Sequence, residues 1–449
     1  MAPSWPARRG PGDAPRASAP ARGANLAGVE DADPPPELHL HRWTDPAIVA
    51  LAGFTAAAGF SQFGVVTALG DVARSFGQVG DGGSLADQAG LSGTAIGVGL
   101  AVIRLTSLLA LPLAAAADRV GRRATLRWCA AIGLALTAAA ALSPTYAVFV
   151  VVFALGRPFM SATDTVAGVA ASEQTATHDR ARALALVAAS YGVGAGLVAL
   201  LRGVMGDALG FRAVLALALV PLAAVLWLGR RVGETDRFRV AAAEGARVVP
   251  VLGPVTAPFR ARLAVLVAIL FAISVVTGPA NSFLFLYAEN VLDLTSAATA
   301  AMVVGAGLAG LTGLLLGRAG ADRLGRRPTV ALALVVVPVA GAVTYSGSVP
   351  AAIAGYLVAV MAGAAFLPAV GALQAELFPT TVRAAVAGWL LAASVLGAFT
   401  GLVLFGLVAD AGDRFAVAGA AVFLPTALAA LLVPLVPETR GRELEDAAA

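Results

Sequence analysis

Charged side chains in the middle of long apolar runs are the residues of this 449-residue chain with chemistry to offer. Arg104 and Arg157 each stand about ten residues inside such a run. An arginine at the centre of a bilayer costs ~2.5–3.5 kcal/mol on insertion scales, so one that is kept there marks a candidate site. Its planar fork of donors suits a carboxylate, phosphate or sulfate. Asp164 follows Arg157 by seven residues. That spacing puts both on one helix face, ~10 Å apart along the axis, so both are expected to line one cavity. A carboxyl in so poorly hydrated a place is suited to carry a proton. Asn281, beside Thr277, Ser282 and the Gly278-Pro279 pair, is the uncharged candidate. A proline there breaks the backbone ladder and is expected to turn carbonyls toward a cavity. Arg104, Arg157, Asp164 and Asn281 are therefore the expected substrate-binding or coupling residues. Arg202 sits within a turn and a half of Asp207 near the end of its run, and snorkelling to the interface is expected of it. Asp207 and Asp410 are expected to cap or pair at helix ends.

Other chemistries lack their parts. Cys129 stands alone and the histidines, His39, His41 and His178, are scattered through tail and loop, so no nucleophile–base pair or metal site can be assembled. His178 reads as a solvated loop residue. Gly192-Val-Gly-Ala-Gly196 lies inside an apolar run with no strand before it, which rules out a phosphate loop. No enzyme activity, cofactor or ATP drive is expected. The net charge of +4 is spread between apolar blocks, so nucleic acid is not an expected partner.

The elements that must hold these residues follow from composition. Hydrophobic residues make up 59% of the chain and charged ones 13%, with a mean hydropathy of +0.83; soluble domains carry about 25% charged residues. Twelve apolar segments follow one another at about 46–69, 94–117, 124–142, 146–171, 182–205, 211–229, 262–287, 297–317, 328–345, 351–374, 384–408 and 415–436. Backbone polar groups in lipid must be satisfied within the segment or in a closed barrel, and segments this long without strict alternation are helices. The predicted fold is an all-α polytopic membrane protein of twelve transmembrane helices. Residues 1–44 are expected to form a disordered cytoplasmic tail, 45–229 a six-helix bundle, 230–261 a cytoplasmic linker, 262–436 a second six-helix bundle and 437–449 a cytoplasmic tail. With the N-terminus inside, 25 arginines fall in inner segments and three, Arg74, Arg212 and Arg414, in outer loops. Both termini are therefore expected in the cytoplasm, in the cell membrane.

The two bundles repeat. Asp118-Arg-Val-Gly-Arg-Arg123 recurs as Asp322-Arg-Leu-Gly-Arg-Arg327, 204 residues on. Glu173 with Arg180 recurs as Glu376 with Arg383, Asp207 as Asp410, and Glu234-Thr235 as Glu438-Thr439, each offset by 203 or 204. Six helices per half give both halves one orientation, a parallel repeat. An Asp, a Gly and clustered Arg at a helix end can hold a tight turn and pair with carboxylates across the halves.

On these loops, Gly156-Arg157, and the sequence Pro437-Glu438-Thr439-Arg440-Gly441, the chain from about 46 to 445 resembles the major facilitator superfamily. Ala114 and Arg318 stand where that family often has Gly. The resemblance implies a secondary active transporter of small solutes working by alternating access. It also implies a gating network of Asp118, Arg119, Gly121, Arg122, Arg123, Glu173 and Arg180, with Asp322, Arg323, Arg326, Arg327, Glu376 and Arg383 as its second copy. Asp118 with its arginines would hold the outward-open state. The expected function is proton-coupled symport of a small organic anion or metabolite by a monomer. Proton-driven efflux of drugs or metabolites, and a transporter-like sensor that binds without moving its ligand, are the alternatives.

Overall fold

The computed structural model describes residues 40–78, 87, 90–176, 179–205, 210–236, 238–239, 252–412 and 414–440. His178 and Asp207 lie outside the described residues. Twelve helices long and apolar enough to cross a membrane follow in order: α1 Pro46–Thr67, α2 Gly93–Val120, α3 Arg122–Leu142, α4 Tyr146–Gln174, α5 Arg180–Met205, α6 Phe211–Leu228, α7 Ala257–Asn290, α8 Ser296–Arg323, α9 Arg326–Thr344, α10 Val349–Glu376, α11 Val382–Gly412 and α12 Phe415–Leu435. The chain is an all-α protein of twelve transmembrane helices.

Local chemistry sets the boundaries. The hydroxyls of Ser92, Thr145 and Thr295 accept hydrogen bonds from the N–H groups of Ala95, Val148 and Ala298 and so cap α2, α4 and α8. Gly121 and Gly325 end α2 and α8 with φ of 105° and 117°, a region that side-chain-bearing residues avoid, and the next helix starts at once. α7 begins at Ala257, earlier than its apolar run, because Arg260 and Arg262 can reach out of the bilayer along their stems. Residues 40–44, expected to be disordered, are partly held. The His41 N–H donates to the Gln174 carbonyl at 2.7 Å and the Ala176 N–H to the His41 carbonyl at 3.3 Å, a short parallel bridge.

Within the first half α1 lies on α5 and α3 on α4; within the second, α7 lies on α11 and α10 on both α8 and α9. The halves meet where α2 packs on α11 and α5 on α8. Lipid offers no hydrophobic drive between helices, so close backbone approach must supply the contact. A Cβ on Gly97 would stand 2.4 Å from the Leu402 carbonyl oxygen, and one on Gly406 2.2 Å from that of Gly93. The short helix Leu69–Phe76 after α1 also packs on the last turns of α7, Leu284–Asn290. These meeting points lie toward the end of the bundle opposite the two Asp-Arg-x-Gly-Arg-Arg loops. We call the loop-bearing end the motif end and the other the far end.

Candidate functional site: a central cavity between two networks

α2 is not one regular helix. Pro112 has no N–H to offer the Leu108 carbonyl, and the turn Ser107–Leu109 tightens to a 3-10 geometry. This places Ser107 against α4, where its hydroxyl accepts a hydrogen bond from Arg157 Nε at 3.2 Å. Arg104, one turn earlier, and Arg157 then face a single cavity of about 320 Å³ bounded by α1, α2, α4, α5, α7 and α11. That is the small end of the ~300–1,000 Å³ range of ligand sites. Both arginines are the twelfth residues of helices of 28 and 29 residues, near mid-bilayer. Arg104 Nε is buried without a hydrogen-bond partner. Among the described residues neither arginine has an acidic side chain in ion-pair range. The cavity therefore carries two positive charges with no matching carboxylate.

The other walls are polar but neutral. Gln62 on α1 accepts from the Tyr191 hydroxyl of α5 at 3.3 Å, and both line the cavity. Thr277, Asn281 and Ser282 line it from α7. Asn281 Nδ2 donates to the Thr277 carbonyl at 2.8 Å, and its Oδ1 accepts from the Tyr356 hydroxyl of α10 at 3.1 Å. Its amide thus ties two helices together and keeps one N–H over. Thr277 and Gly278, beside Pro279, reach the cavity wall, while the carbonyls of Pro279 and Ala280 accept from the buried Tyr345 hydroxyl at 3.3 and 3.0 Å. Asp164 is a departure from expectation. It is half-buried on α4 but absent from the cavity wall, because two helical turns carry it ~10 Å toward the motif end.

The motif end carries two networks built alike. In the first, Arg122 pairs with Asp118 at 2.8 Å and holds Glu173 with two hydrogen bonds, 3.1 Å from Nε and 2.9 Å from Nη2. Its Nη1 caps the Ala117 carbonyl at 2.9 Å and its guanidinium lies 5.0 Å from the Phe238 ring. Glu234, after α6, accepts from the backbone N–H groups of Arg122 and Arg123 at 2.8 and 3.2 Å and so caps α3. Thr235 donates to Glu173 at 2.7 Å. In the second, Arg326 pairs with Asp322 at 3.5 Å and Glu376 at 3.2 Å and caps the Ala321 carbonyl at 2.7 Å. Glu438 accepts from the N–H groups of Arg326 and Arg327 at 2.9 Å each, and Thr439 donates to Glu376. Burial pushes the Glu438 carboxyl up, but four backbone N–H groups, from Arg326, Arg327, Thr439 and Arg440, outweigh it and hold its pKa below the usual glutamate value.

Both glycines are required twice over. Besides the positive φ, a Cβ on Gly121 would meet Glu234 Oε2 at 2.4 Å, and one on Gly325 would meet Glu438 Oε2 at 2.8 Å. Sequence reasoning found the repeat of Glu234-Thr235 but not its purpose, which is to cap the helix that each motif opens. Among the described residues the expected pairing across the halves is not seen, since the bonds of each network close within its own half. Arg180 does not join Glu173, and its Nε is buried without a partner. Arg383 instead caps the Ala375 and Phe378 carbonyls at 2.9 and 3.3 Å. Arg119, Arg123 and Arg323 are exposed, and neither they nor Arg327 make a side-chain ion pair among the described residues.

Charged contacts across the halves occur at the far end, and here the reading of Arg202 as a snorkelling residue is corrected. Its side chain is 1% exposed and bonds Asp71, beyond α1, and Glu289 on α7, the latter at 2.8 Å from Nη2. Asp71 and Glu289 escaped sequence reasoning because they lie at segment ends, where a carboxylate looks solvated. Asp410 on α11 accepts from the Gly93 and Thr94 N–H groups at 2.6 and 2.8 Å, a side-chain cap for α2 supplied by the opposite half.

Comparison with known proteins agrees with this architecture. The xylose transporter XylE from E. coli, in its inward-open conformation, superposes with a TM-score of 0.67 at 18% identity, over 89% of this chain and 98% of its own. The human organic anion transporter MFSD10 gives a TM-score of 0.62 at 16% identity, over 86% and 98%. The nucleoside transporter NupG gives 0.68 at 12%, over 87% and 98%. No curated protein sequence matches the chain. The sugar (and other) transporter family model matches residues 241–449, and the Major Facilitator Superfamily model matches residues 49–336. With well over half its length matched by that second model, the chain belongs to the Major Facilitator Superfamily and is a secondary transporter.

Proposed function

We propose that the chain carries a small organic anion by alternating access, as a proton symporter with both termini in the cytoplasm. The observation that carries this reading is the pair Arg104 and Arg157, which face one mid-membrane cavity with no acid to neutralise them. Two such charges are costly in the empty cavity, and an anion bound between them repays that cost with charge-assisted hydrogen bonds. The ring of Gln62, Tyr191, Thr277, Asn281 and Ser282 offers hydroxyl and amide groups for the rest of the solute. MFSD10 is described as an organic anion transporter and XylE as a xylose transporter; the uncompensated arginines favour the first kind of cargo. With the motif end cytoplasmic, far-end contacts between the halves make this an inward-facing state. Asp164, on the motif side of Arg157, then serves the proton on its way to the cytoplasm.

Thermal stabilisation of the purified protein across a panel of organic anions, sugars and lipophilic cations tests the reading, because a ligand of the folded state raises apparent stability. An anion should stabilise the parent and lose its effect in Arg104→Ala. Stabilisation by sugars or cations alone, equal in the variant, overturns the anion. Uptake into proteoliposomes under an imposed pH gradient tests direction and coupling. Accumulation that needs an acidic exterior and fails in Asp164→Asn, with exchange intact, is the expected result; accumulation indifferent to the gradient overturns symport.

A further inference from the structure

Arg202 is one of the most deeply buried charges described, and it joins carboxylates of both halves. It reaches Asp71, which belongs to its own half, and Glu289, which belongs to the other. Only the second bond crosses between the halves, so only the second must break when the far end opens. Among the described residues one guanidinium faces two carboxylates, an excess of negative charge at a place where Glu289 is 8% and Asp71 21% exposed. A like-charge pair of carboxylates in a poorly hydrated site resolves its repulsion by taking up a proton. Among the described residues no second cation pairs with either carboxylate. Arg74, one turn beyond Asp71, is exposed and makes no ion pair with it among the described residues. Asp293, in the turn after α7, is exposed and adds negative charge. The start of α8 brings the Ser296 hydroxyl beside Glu289 and no charge.

The surroundings are those of a contact made to come apart. Next to Glu289, the Asn290 amide is buried with neither its nitrogen nor its oxygen bonded. It lies against Gly70, where a Cβ would stand 3.0 Å from Asn290 Oδ1. A polar group left unpaired at a buried interface is costly, so parting the halves and wetting this amide recovers part of what the broken ion bond loses.

We propose that the Asp71–Arg202–Glu289 cluster is a proton-binding latch: a proton taken up by Glu289 releases Arg202 to Asp71 in its own half and frees the far end to open. Deprotonation of Glu289 restores the bond across the halves and closes that end. The device rests on the proton-coupled reading above, and it assigns a site for the proton other than Asp164. It also predicts opposite effects from removing two acids that touch one arginine. Glu289→Gln deletes the crossing bond and leaves a neutral Asp71–Arg202 pair in one half. Asp71→Asn removes the repulsion and leaves a neutral Arg202–Glu289 pair across the halves.

The test uses spin labels on Leu142→Cys and Ser346→Cys, exposed positions at the far ends of α3 and α9 in opposite halves, in the full chain with Cys129→Ser, reconstituted in lipid nanodiscs. Pulsed distance measurements between pH 5 and 8 are expected to show the long-distance population of the parent rising at least threefold as pH falls. Glu289→Gln should hold the long distance, and Asp71→Asn the short one, at every pH. A parent whose distances ignore pH overturns the latch, and so does an unchanged pH response in Glu289→Gln, or Asp71→Asn opening as Glu289→Gln does, which is how a merely structural ion pair behaves. These readouts need no substrate. A latch that follows pH in a protein whose uptake ignores the pH gradient would sink the symport reading and leave the latch standing, and the reverse pattern would do the opposite.

Discussion

The two loop networks share one core of paired residues, whereas the Arg104 of the cavity has no counterpart across the halves. Arg122 and Arg326, Glu173 and Glu376, Glu234 and Glu438, Thr235 and Thr439 keep one pattern of bonds at an offset of 203 or 204. The same offset takes Arg104 to Leu308, an apolar side chain 62% exposed on the outside of the bundle. What is repeated holds each half rigid; what is not repeated is free to choose a solute. Rigid halves are what alternating access needs, because a body that bends cannot transmit motion from one gate to the other.

That contrast can be broken in four places, taken here from the largest effect down. Arg104→Ala should weaken anion binding at least tenfold, in line with the ~1.5–3 kcal/mol of a hydrogen bond to a charged group, while Leu308→Ala leaves it unchanged; titration of thermal stability with the anion reads both. Arg122→Ala and Arg326→Ala should each destabilise the fold by about 1–3 kcal/mol, less than the ~3–5 of a fully buried pair because both sites touch solvent. The larger loss is expected at Arg122, which holds its glutamate through two nitrogens where Arg326 uses one; a larger loss at Arg326, read in unfolding temperature, would show that the second copy does more than hold its half. Gly121→Ala and Gly325→Ala should cost about 1–3 kcal/mol each from a positive-φ backbone that is open essentially to glycine alone, with the larger loss at Gly121, where the glutamate stands closer. The smallest effect concerns acid. The folded-state pKa of Glu438 lies below its unfolded value, so its cap on α9 is fully present above the ordinary glutamate range and is lost as pH falls through the folded value. Unfolding followed from pH 6 to pH 3 should therefore show less acid sensitivity in Glu438→Gln than in the parent.

Sequence alone went far with what is periodic or repeated. Twelve apolar runs became twelve helices whose limits moved by a few residues, and Arg104, Arg157 and Asn281 reached one cavity because helix geometry fixes depth. It failed where the outcome turns on a partner from elsewhere in the chain. Asp164 shares a face with Arg157, yet seven residues of rise take it off the cavity wall. Arg202 looked free to snorkel because its carboxylates come from distant segments, one of them in the other half. The carbonyls of Pro279 and Ala280 accept from the hydroxyl of Tyr345, 66 and 65 residues away, which no local pattern announces. Charge inside a membrane marks a position as important; the fold decides which charges meet.

The bare crossing of α2 and α11 has a mechanical consequence. Gly93, Gly97 and Gly406 bring backbone against backbone there, so no interlocked side chains have to be dragged past one another. The contact is a plain bearing rather than a gear, and Asp410 is its catch. From Gly97 to the motif at Asp118 runs 21 residues, or ~32 Å of α2 with its tightened turn at Ser107–Leu109 partway. A lever of that length turns a tilt of about ten degrees at the bearing into a swing of ~5 Å at the motif end, wide enough to pass water.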